Sequence, residues 1–374
     1  MVVFIVVHFE SASRISISDL YLKPNTVFED RYGNILRWVP DVKGERHTWT
    51  PLNNIPSIVQ KAFISAEDHR FYSHPGIDLL AILRAIKSNF IEGHIVSGAS
   101  TLTQQLSRLT YPRKRTYYDK LVELIRSLRI EWLLDKEQIL ELYLNKVPLG
   151  NNLVGIRAGS IVFFGKVLSR LTISEAALLA SLPKAPGKLS PYGRNIPSLI
   201  DRRNWVLKQM YEYGHISSEE METSLQTMPF IKPKSFPFNA PHFINQVLPV
   251  SIKGNLTTTI DLRLQKRVEQ ILKSHRFRLK RKTAHQASVV ILDNANSEIR
   301  SLVGSIEYSK RHQGFNNGAN ALRSPGSTLK PFLFAQALDS GLNTATVLED
   351  IERKYSSPQG IFSPVNFNRK SYGP

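Results

Sequence analysis

Apolar residues recur along this chain with two different periods. From Asp19 to Trp49 short apolar runs are punctuated by Pro24, Gly33, Pro40 and Gly44, the texture of short strands joined by turns. From Pro56 to about Gly214 the spacing lengthens to that of amphipathic helices. Ile77, Leu80, Leu83, Ile86 and Phe90 share one helical face, and Leu121, Leu124, Ile125, Leu128, Trp132 and Leu133 share a face of a second helix, so both faces are expected against a core. EQILELYLN, Glu137 to Asn145, continues the period, and ISEAALLASL, Ile173 to Leu182, is apolar nearly all round, which predicts a buried helix. The pattern breaks at MPFIKPKSFPFNAPHF, where Pro229, Pro233, Pro237 and Pro241 oppose regular structure and mark the best linker candidate. Beyond it, NLTTTIDLRLQKRVEQIL predicts a strand and then a helix N-capped by Asp261. ASVVILDNANSEIRSLVGS predicts two strands around a turn at Asp293 to Ser297, part of an α+β or α/β domain.

The extreme N-terminus, MVVFIVVHFESAS, carries an apolar run from Val2 to Phe9, about eight residues where a bilayer span needs roughly 20. A buried strand and the stub of a longer membrane anchor are equally compatible with it. The length of 374 residues points to two or three domains. Forty-nine Lys and Arg against 31 Asp and Glu leave a formal charge of +18, which calls for an anionic partner: nucleic acid, phospholipid or a phosphorylated substrate. No helix-turn-helix, RRM or zinc-finger pattern is present, so nucleic acid is not expected. The chain has no cysteine, which excludes disulfides and thiolate metal sites.

Two stretches concentrate chemistry. AEDHRFYSHPG, Ala66 to Gly76, reads as a metal site, an acid/base centre or a solvated turn. The spacing of Glu67, His69 and His74 matches no closed zinc pattern. Glu67 lies between the apolar residues Ala62, Phe63 and Ile64 and the aromatics Phe71 and Tyr72, a setting that can desolvate a carboxylate and raise its pKa toward the range of a general base; the alternative is a helix-end carboxylate in water. SGASTLTQQLSR, Ser97 to Arg108, leads small and hydroxyl residues into a helix, with Arg108, Arg113, Lys114, Arg115 and Lys120 close behind. Such an entry can hold phosphate oxygens, or it can be an ordinary capped basic helix.

EDHRFYSHPG resembles the E-D-x-x-F-x-x-H-x-G motif of the peptidoglycan glycosyltransferases, and GASTLTQQL resembles their G-x-S-T-x-T-Q-Q motif. KLVELIRSLRIEWLLDKEQILELYLNKVPLG, GIRAGSIVFFGK and LTISEAALLASLPKAPGKLSP follow in family order. Downstream, RSPGSTLKPF resembles the S-x-x-K motif of penicillin-binding transpeptidases. Together the halves resemble a bifunctional class A penicillin-binding protein, most of all its 1C branch.

The resemblance implies a multidomain chain: a mainly α, lysozyme-like glycosyltransferase domain over residues 19–225, a Pro-rich linker and strand–helix connector over 226–284, and an incomplete α+β or α/β penicillin-binding domain over 285–374, after an anchor remnant at 1–18. The implied activity is polymerisation of lipid II onto a growing glycan strand, with inversion and release of undecaprenyl pyrophosphate, at the periplasmic face of the cell inner membrane. Glu67 falls on the general base and Glu123 on the second carboxylate, which orients cations, holds a divalent ion or assists the leaving oxygen. Ser100, Thr101, Gln104, Arg108, Arg115 and Lys120 fall on substrate and pyrophosphate positions. No cofactor is implied beyond an optional Mg or Mn ion at the pyrophosphate. The implied partners are lipid II, the glycan strand, the membrane surface and cell-wall synthesis proteins. A small lobe around Leu109 to Tyr118 is expected to dip into the bilayer.

Three positions depart from the family: Asp119 where an arginine is usual, Leu149 before Gly150 where a phenylalanine is usual, and Arg157 in place of a small residue. The first is expected to weaken a phosphate contact and lower the rate. In the second half Ser327 falls on the acyl nucleophile and Lys330 on its base, one helical turn apart. No S-x-N or K-T-G follows Lys330, so the transpeptidase is expected to be incomplete, neither cross-linking nor binding penicillin stably unless another chain completes it. The competing expectation is a decayed, non-catalytic module that binds lipid II or the membrane.

Overall fold

Helix α1 (Ser57–Glu67) turns Val59, Ala62, Phe63, Ile64 and Ala66 inward and ends at the carboxylate of the first motif. This is a computed structural model that describes residues 14–23, 25–84, 100–114, 116–248 and 254–373. The apolar run Val2–Phe9, Ile86, Phe90, Gly98 and Arg115 lie outside the described residues.

Around α1 stand α2 (Leu102–Thr110), α3 (Tyr117–Leu133), α4 (Lys136–Lys146), α5 (Ile173–Ser181), α6 (Ile196–Glu212) and α7 (Ser218–Gln226). The helix starts are written in the sequence as capping boxes: Asp135 with Gln138, Thr172 with Glu175, and Ser217 with Glu220. Helix α5 is the buried helix its composition predicts, with every residue from Ser174 to Ser181 inaccessible, and it packs against both α1 and α6. Helix α2 lies on α3 and α4. Phe63 of α1 meets Tyr143 of α4 edge-on, ring centres 6.3 Å apart, so the core runs directly beneath the end of α1.

Helix α3 reverses the expected face. The structure buries Val122, Arg126, Ser127 and Ile130, while Leu121, Leu128 and Trp132 are exposed, Trp132 at 86%. The inner face must be thin and polar because Gly76 closes on it: a Cβ at Gly76 would sit 2.8 Å from Glu131 Cγ and 3.1 Å from the Ser127 carbonyl oxygen, and its φ of +84° favours glycine independently. Arg126 contributes packing, its guanidinium 4.2 Å from the Tyr111 ring centre.

Lys146, at the end of α4, is buried with its ammonium donating to the Asp19 and Leu20 carbonyls, each at 3.0 Å, and to Thr110 Oγ1 at 2.9 Å. These neutral acceptors only partly offset burial, which lowers its pKa to about 8. Because the folded pKa lies below that of the unfolded chain, the unfolded state binds more protons between about pH 8 and 10.5, and this residue's contribution to stability rises with pH across that window. Comparing the melting of wild type and Lys146→Met from pH 7 to pH 10 should show the wild type gaining relative to the variant, by at most about 3 kcal/mol.

Strands β1 (Val27–Glu29) and β2 (Ile35–Trp38) form an antiparallel pair, and β3 (Pro148–Gly150) and β4 (Leu153–Val154) form a separate two-stranded sheet. All three residues of β1 are buried, and its outer edge pairs in parallel with β5 (Asn255–Thr257), from well beyond the proline-rich stretch. That stretch is no free linker. Phe236 and Phe238 lie under the guanidiniums of Arg46 and Arg37, at 3.8 and 4.1 Å, and helix α8 (Pro241–Val247) puts Phe243 and Ile244 into a small core with Phe28, Leu36, Ile260 and Leu302. Helix α9 (Leu262–Arg281) starts at Asp261, whose side chain accepts from the Arg263 and Leu264 amides. It packs on β7 (Ile299–Val303), which pairs with β6 (Val289–Leu292) across the expected turn.

Residues 1–319 therefore form one compact unit and 320–374 a second. β5, α9 and the β6–β7 pair join the first unit through the apolar faces of β1, β2 and one another. The second unit, taken by itself, holds helix α10 (Lys330–Asp339) and a hairpin of β8 (Tyr355–Ser357) and β9 (Gly360–Phe362).

Candidate active site

The two chemistry-rich stretches are tied into one structure. Asp68, the residue after Glu67, is buried and accepts from His74 Nε2 at 2.9 Å and from the Leu102 amide at 2.9 Å. Thr101 Oγ1 donates to the Gly76 carbonyl at 2.7 Å and accepts from the Gln104 amide at 3.2 Å, capping α2. Lys136 donates to the His74 carbonyl at 2.6 Å and pairs with Glu131 at 2.7 Å. His74 is thereby scaffolding, with its Nδ1 accepting from the Gly76 amide, and His69 stacks on Tyr213 at 4.5 Å. Both rings are thus engaged with protein partners. Asp68, His74 and Asp78 do lie close enough to share an ion, yet each is used internally, Asp78 by the Ala81 amide and by Arg70 at 3.4 Å. Asp68→Ala should strand His74 and the Leu102 amide together. We expect a loss of about 3 kcal/mol or more, read as a lowered denaturant midpoint.

This scaffold presents Glu67 at the C-terminal end of α1. Oε2 accepts from Gln105 Nε2 at 2.7 Å, and Gln105 Oε1 accepts in turn from the Tyr143 hydroxyl at 3.2 Å. Oε1 is buried with no hydrogen-bond partner. Burial raises the Glu67 pKa, opposed by the Gln105 bond and by the charges of Arg202, Lys184 and Arg108. Burial and the Glu67 charge hold the Tyr143 hydroxyl well above its usual value, so Tyr143 remains a donor. Arg202 of α6 anchors to the Ala66 carbonyl at 3.3 Å.

Next to this carboxylate opens a basic cleft of about 720 Å³, lined by Arg108, Arg113, Lys114, Lys120, Arg126 and Lys184, with Asp119 and Glu123 among them. Lys120 Nζ reaches Glu123 Oε1 at 2.6 Å, Ser100 Oγ at 3.1 Å and Gln104 Oε1 at 3.3 Å. Arg108 lies 3.8 Å from Glu123 Oε2. Glu123 thus holds two cations in place.

The site residues named from the sequence sort into three groups. Glu67, Glu123, Arg108, Lys120 and Ser100 meet in and beside the cleft. Thr101 and Gln104 do not face it: each is 2% exposed, so Thr101 fastens the first motif and Gln104 orients Lys120, because a helix cap and a buried amide are satisfied by protein atoms. Arg115 lies outside the described residues. Gln105, Tyr143, Arg202 and Lys184 were not singled out; the second glutamine of the Gln-Gln pair was the one sequence signal pointing at them.

The Transglycosylase family profile matches residues 32–211, and the Penicillin binding protein transpeptidase domain profile matches 287–373. The chain belongs to the class A penicillin-binding proteins. Penicillin-binding protein 1C of Escherichia coli is 37% identical over 84% of this chain and 40% of its own length, in keeping with the 1C branch. Penicillin-binding protein 1A of Aquifex aeolicus is 30% identical over 88% of this chain and 58% of its own, and penicillin-binding protein 1A of Streptococcus pneumoniae 32% over 91% and 50%. The chain spans about half the length of these relatives.

Against the usual class A penicillin-binding protein pattern, each departure has a structural account. Asp119 accepts from Thr116 Oγ1 at 2.6 Å and Arg113 at 3.2 Å, so it supplies a counter-charge inside the cleft as well as lacking the usual cation. Leu149 is fully buried beside Gly159, a packing exchange. Arg157 reaches Glu29 and Thr48, each at 3.4 Å, and fastens the sheet instead of touching the site. A divalent cation fits the described residues poorly, since both Glu123 oxygens already face cations and Asp119 faces Arg113. In the second unit Ser327 lies in the turn Gly326–Leu329 and Lys330 opens α10. Both are exposed, and among the described residues no hydrogen bond joins them.

Proposed function

We propose that the chain acts as a peptidoglycan glycosyltransferase, extending a lipid-linked glycan strand with lipid II. Glu67 Oε1 takes the proton from the acceptor sugar's 4-hydroxyl as that oxygen bonds to the donor's anomeric carbon. The bond from that carbon to the pyrophosphate oxygen breaks, and the electron pair leaves on undecaprenyl pyrophosphate. This is the inverting division of labour, with a sugar hydroxyl where a hydrolase has water. Lys120 and Arg108, steadied by Glu123, receive the developing charge of the leaving group. No step is routed through a metal ion.

The observation that carries this reading is Glu67 itself: a desolvated carboxylate with one oxygen held by Gln105 and the other unpaired, placed beside a cleft of cations. Work at a membrane surface follows from the lipid-linked substrate. It is supported by the exposed stripe of Tyr117, Leu121, Leu128 and Trp132 along α3 and by the excess positive charge. No helix among the described residues is long and apolar enough to cross a membrane. For the second unit, the S-x-x-K match supports Ser327 as the acyl nucleophile and Lys330 as its base. Purified protein incubated with lipid II in detergent should yield a ladder of glycan chains on a gel; tight lipid II binding without chains would instead favour the non-catalytic reading.

A further inference from the structure

Helix α9 concentrates positive charge far out of proportion to its length. Over Leu262–Arg281 it carries eight Lys and Arg against one carboxylate, Glu269, and so holds seven of the chain's net +18. All eight cations are exposed. Among the described residues only Arg276 of the eight meets a carboxylate, Glu307 at 3.0 Å. Glu269 is itself engaged, its Oε1 accepting from Gln265 Nε2 at 2.9 Å. No residue of α9 lines the basic cleft, so the chemistry beside Glu67 leaves this charge unused.

The cations are ordered along the helix. Gln265, Val268 and Leu272 turn inward, and Leu264, Val268 and Leu272 pack about Val303 of β7. On the outward side Lys266, Lys273 and Lys280 follow one another every seven residues, two turns or about 10 Å apart. Phe277 is 75% exposed and stands on the same row, four residues after Lys273 and three before Lys280. A row of separated charges with an aromatic ring between them matches a linear polyanion. A bilayer surface fits it less well, because a helix lying in that surface buries a continuous apolar face there, and the apolar face of α9 is already spent on β7. Nucleic acid fits less well too, with a phosphate about every 3.4 Å along each duplex strand, a closer spacing than the row of lysines.

We infer that the outward face of α9 is a docking track for a carboxylate-bearing glycan strand. A β-1,4-linked strand with a peptide stem on alternate sugars presents carboxylates once per disaccharide, a length comparable with two helical turns. The C–H faces of its rings suit the exposed Phe277. This choice of occupant rests on the glycosyltransferase reading, whose product has that form; the track itself lies apart from the reacting site. Each exposed ion pair contributes little alone, so affinity depends on several lysines being engaged at once and grows with strand length.

The test uses the full chain and end-labelled, uncross-linked glycan strands bearing peptide stems, with binding read by fluorescence anisotropy. Wild type should bind strands of several disaccharides and bind a single disaccharide at least tenfold more weakly, and strand binding should be lost at about 1 M salt, where screening acts within ~3 Å. The triple variant Lys266→Gln, Lys273→Gln, Lys280→Gln should bind long strands at least tenfold more weakly than wild type. Its three side chains are exposed, so its melting temperature should match wild type; Phe277→Ala, expected to weaken binding about threefold, tests the track independently. Strands stripped of their stems should not distinguish wild type from the triple variant. On lipid II the triple variant should keep the initial rate of wild type and make shorter chains. Equal strand binding by wild type and both variants, or tighter wild-type binding to anionic phospholipid vesicles or to DNA than to the strands, overturns the inference. Chains from a wild type that binds no strands overturn it while leaving the activity standing; strand binding without chains upholds the track and overturns the activity.

Discussion

Glu67→Gln should leave a folded protein that no longer builds glycan chains, with the initial rate on lipid II reduced by about 10²–10⁴, the range for loss of a positioned general base. The amide is nearly isosteric with the carboxylate, and its oxygen can still accept from Gln105 Nε2, so the Gln105–Tyr143 relay persists. Stability should hold or improve, because a group whose folded pKa is raised by burial destabilises the fold once pH exceeds that value, and the substitution removes the charge. The same shift sets the pH dependence of the wild type. Chain formation requires ionised Glu67, so the rate should rise with pH through a pKa above the ordinary carboxylate value, and that acid limb should be absent from the residual rate of the variant. Unreduced chains from Glu67→Gln would remove Glu67 from the chemistry.

Lys120→Ala carries the second largest effect. Its ammonium touches Glu123, Ser100 and Gln104 at once and lines the basic cleft, so it is the most firmly placed cation available to a departing pyrophosphate. Removing one preorganised donor to a developing negative charge typically costs about 10²–10³ in rate. The side chain is about half exposed, so stability should change little and the loss should appear in kcat. Lys120→Arg keeps the charge but not the point geometry, and should recover part of the rate. Equal rates for wild type and the alanine variant would exclude Lys120 from leaving-group stabilisation.

These expectations differ in how far the sequence supported them. The helix starts, the strand pair around Asp293 and the buried character of α5 were legible because each depends on local rules: a cap, a turn residue, a periodicity. The pairing of Glu67 with a basic cleft was legible through the spacing of motifs. The inward face of α3 was not, because its apolar stripe points away from the core; the close approach of Gly76 to Ser127 and Glu131 decided the rotation, and no one-helix pattern contains that contact. Thr101 and Gln104 fall on substrate positions through the motif match, and what the sequence did not show is that both side chains are buried on protein partners.

By itself the sequence determined the family, the order of helices and strands, and the identity of the carboxylates and cations, since these follow from residue types at short range. Only the tertiary structure decided which of those groups stand free. Desolvation of Glu67, the relay from Tyr143 through Gln105 and the anchoring of Arg202 on the Ala66 carbonyl all join residues distant in the chain, and a pKa or an unpaired oxygen is a property of the packed neighbourhood, not of the residue.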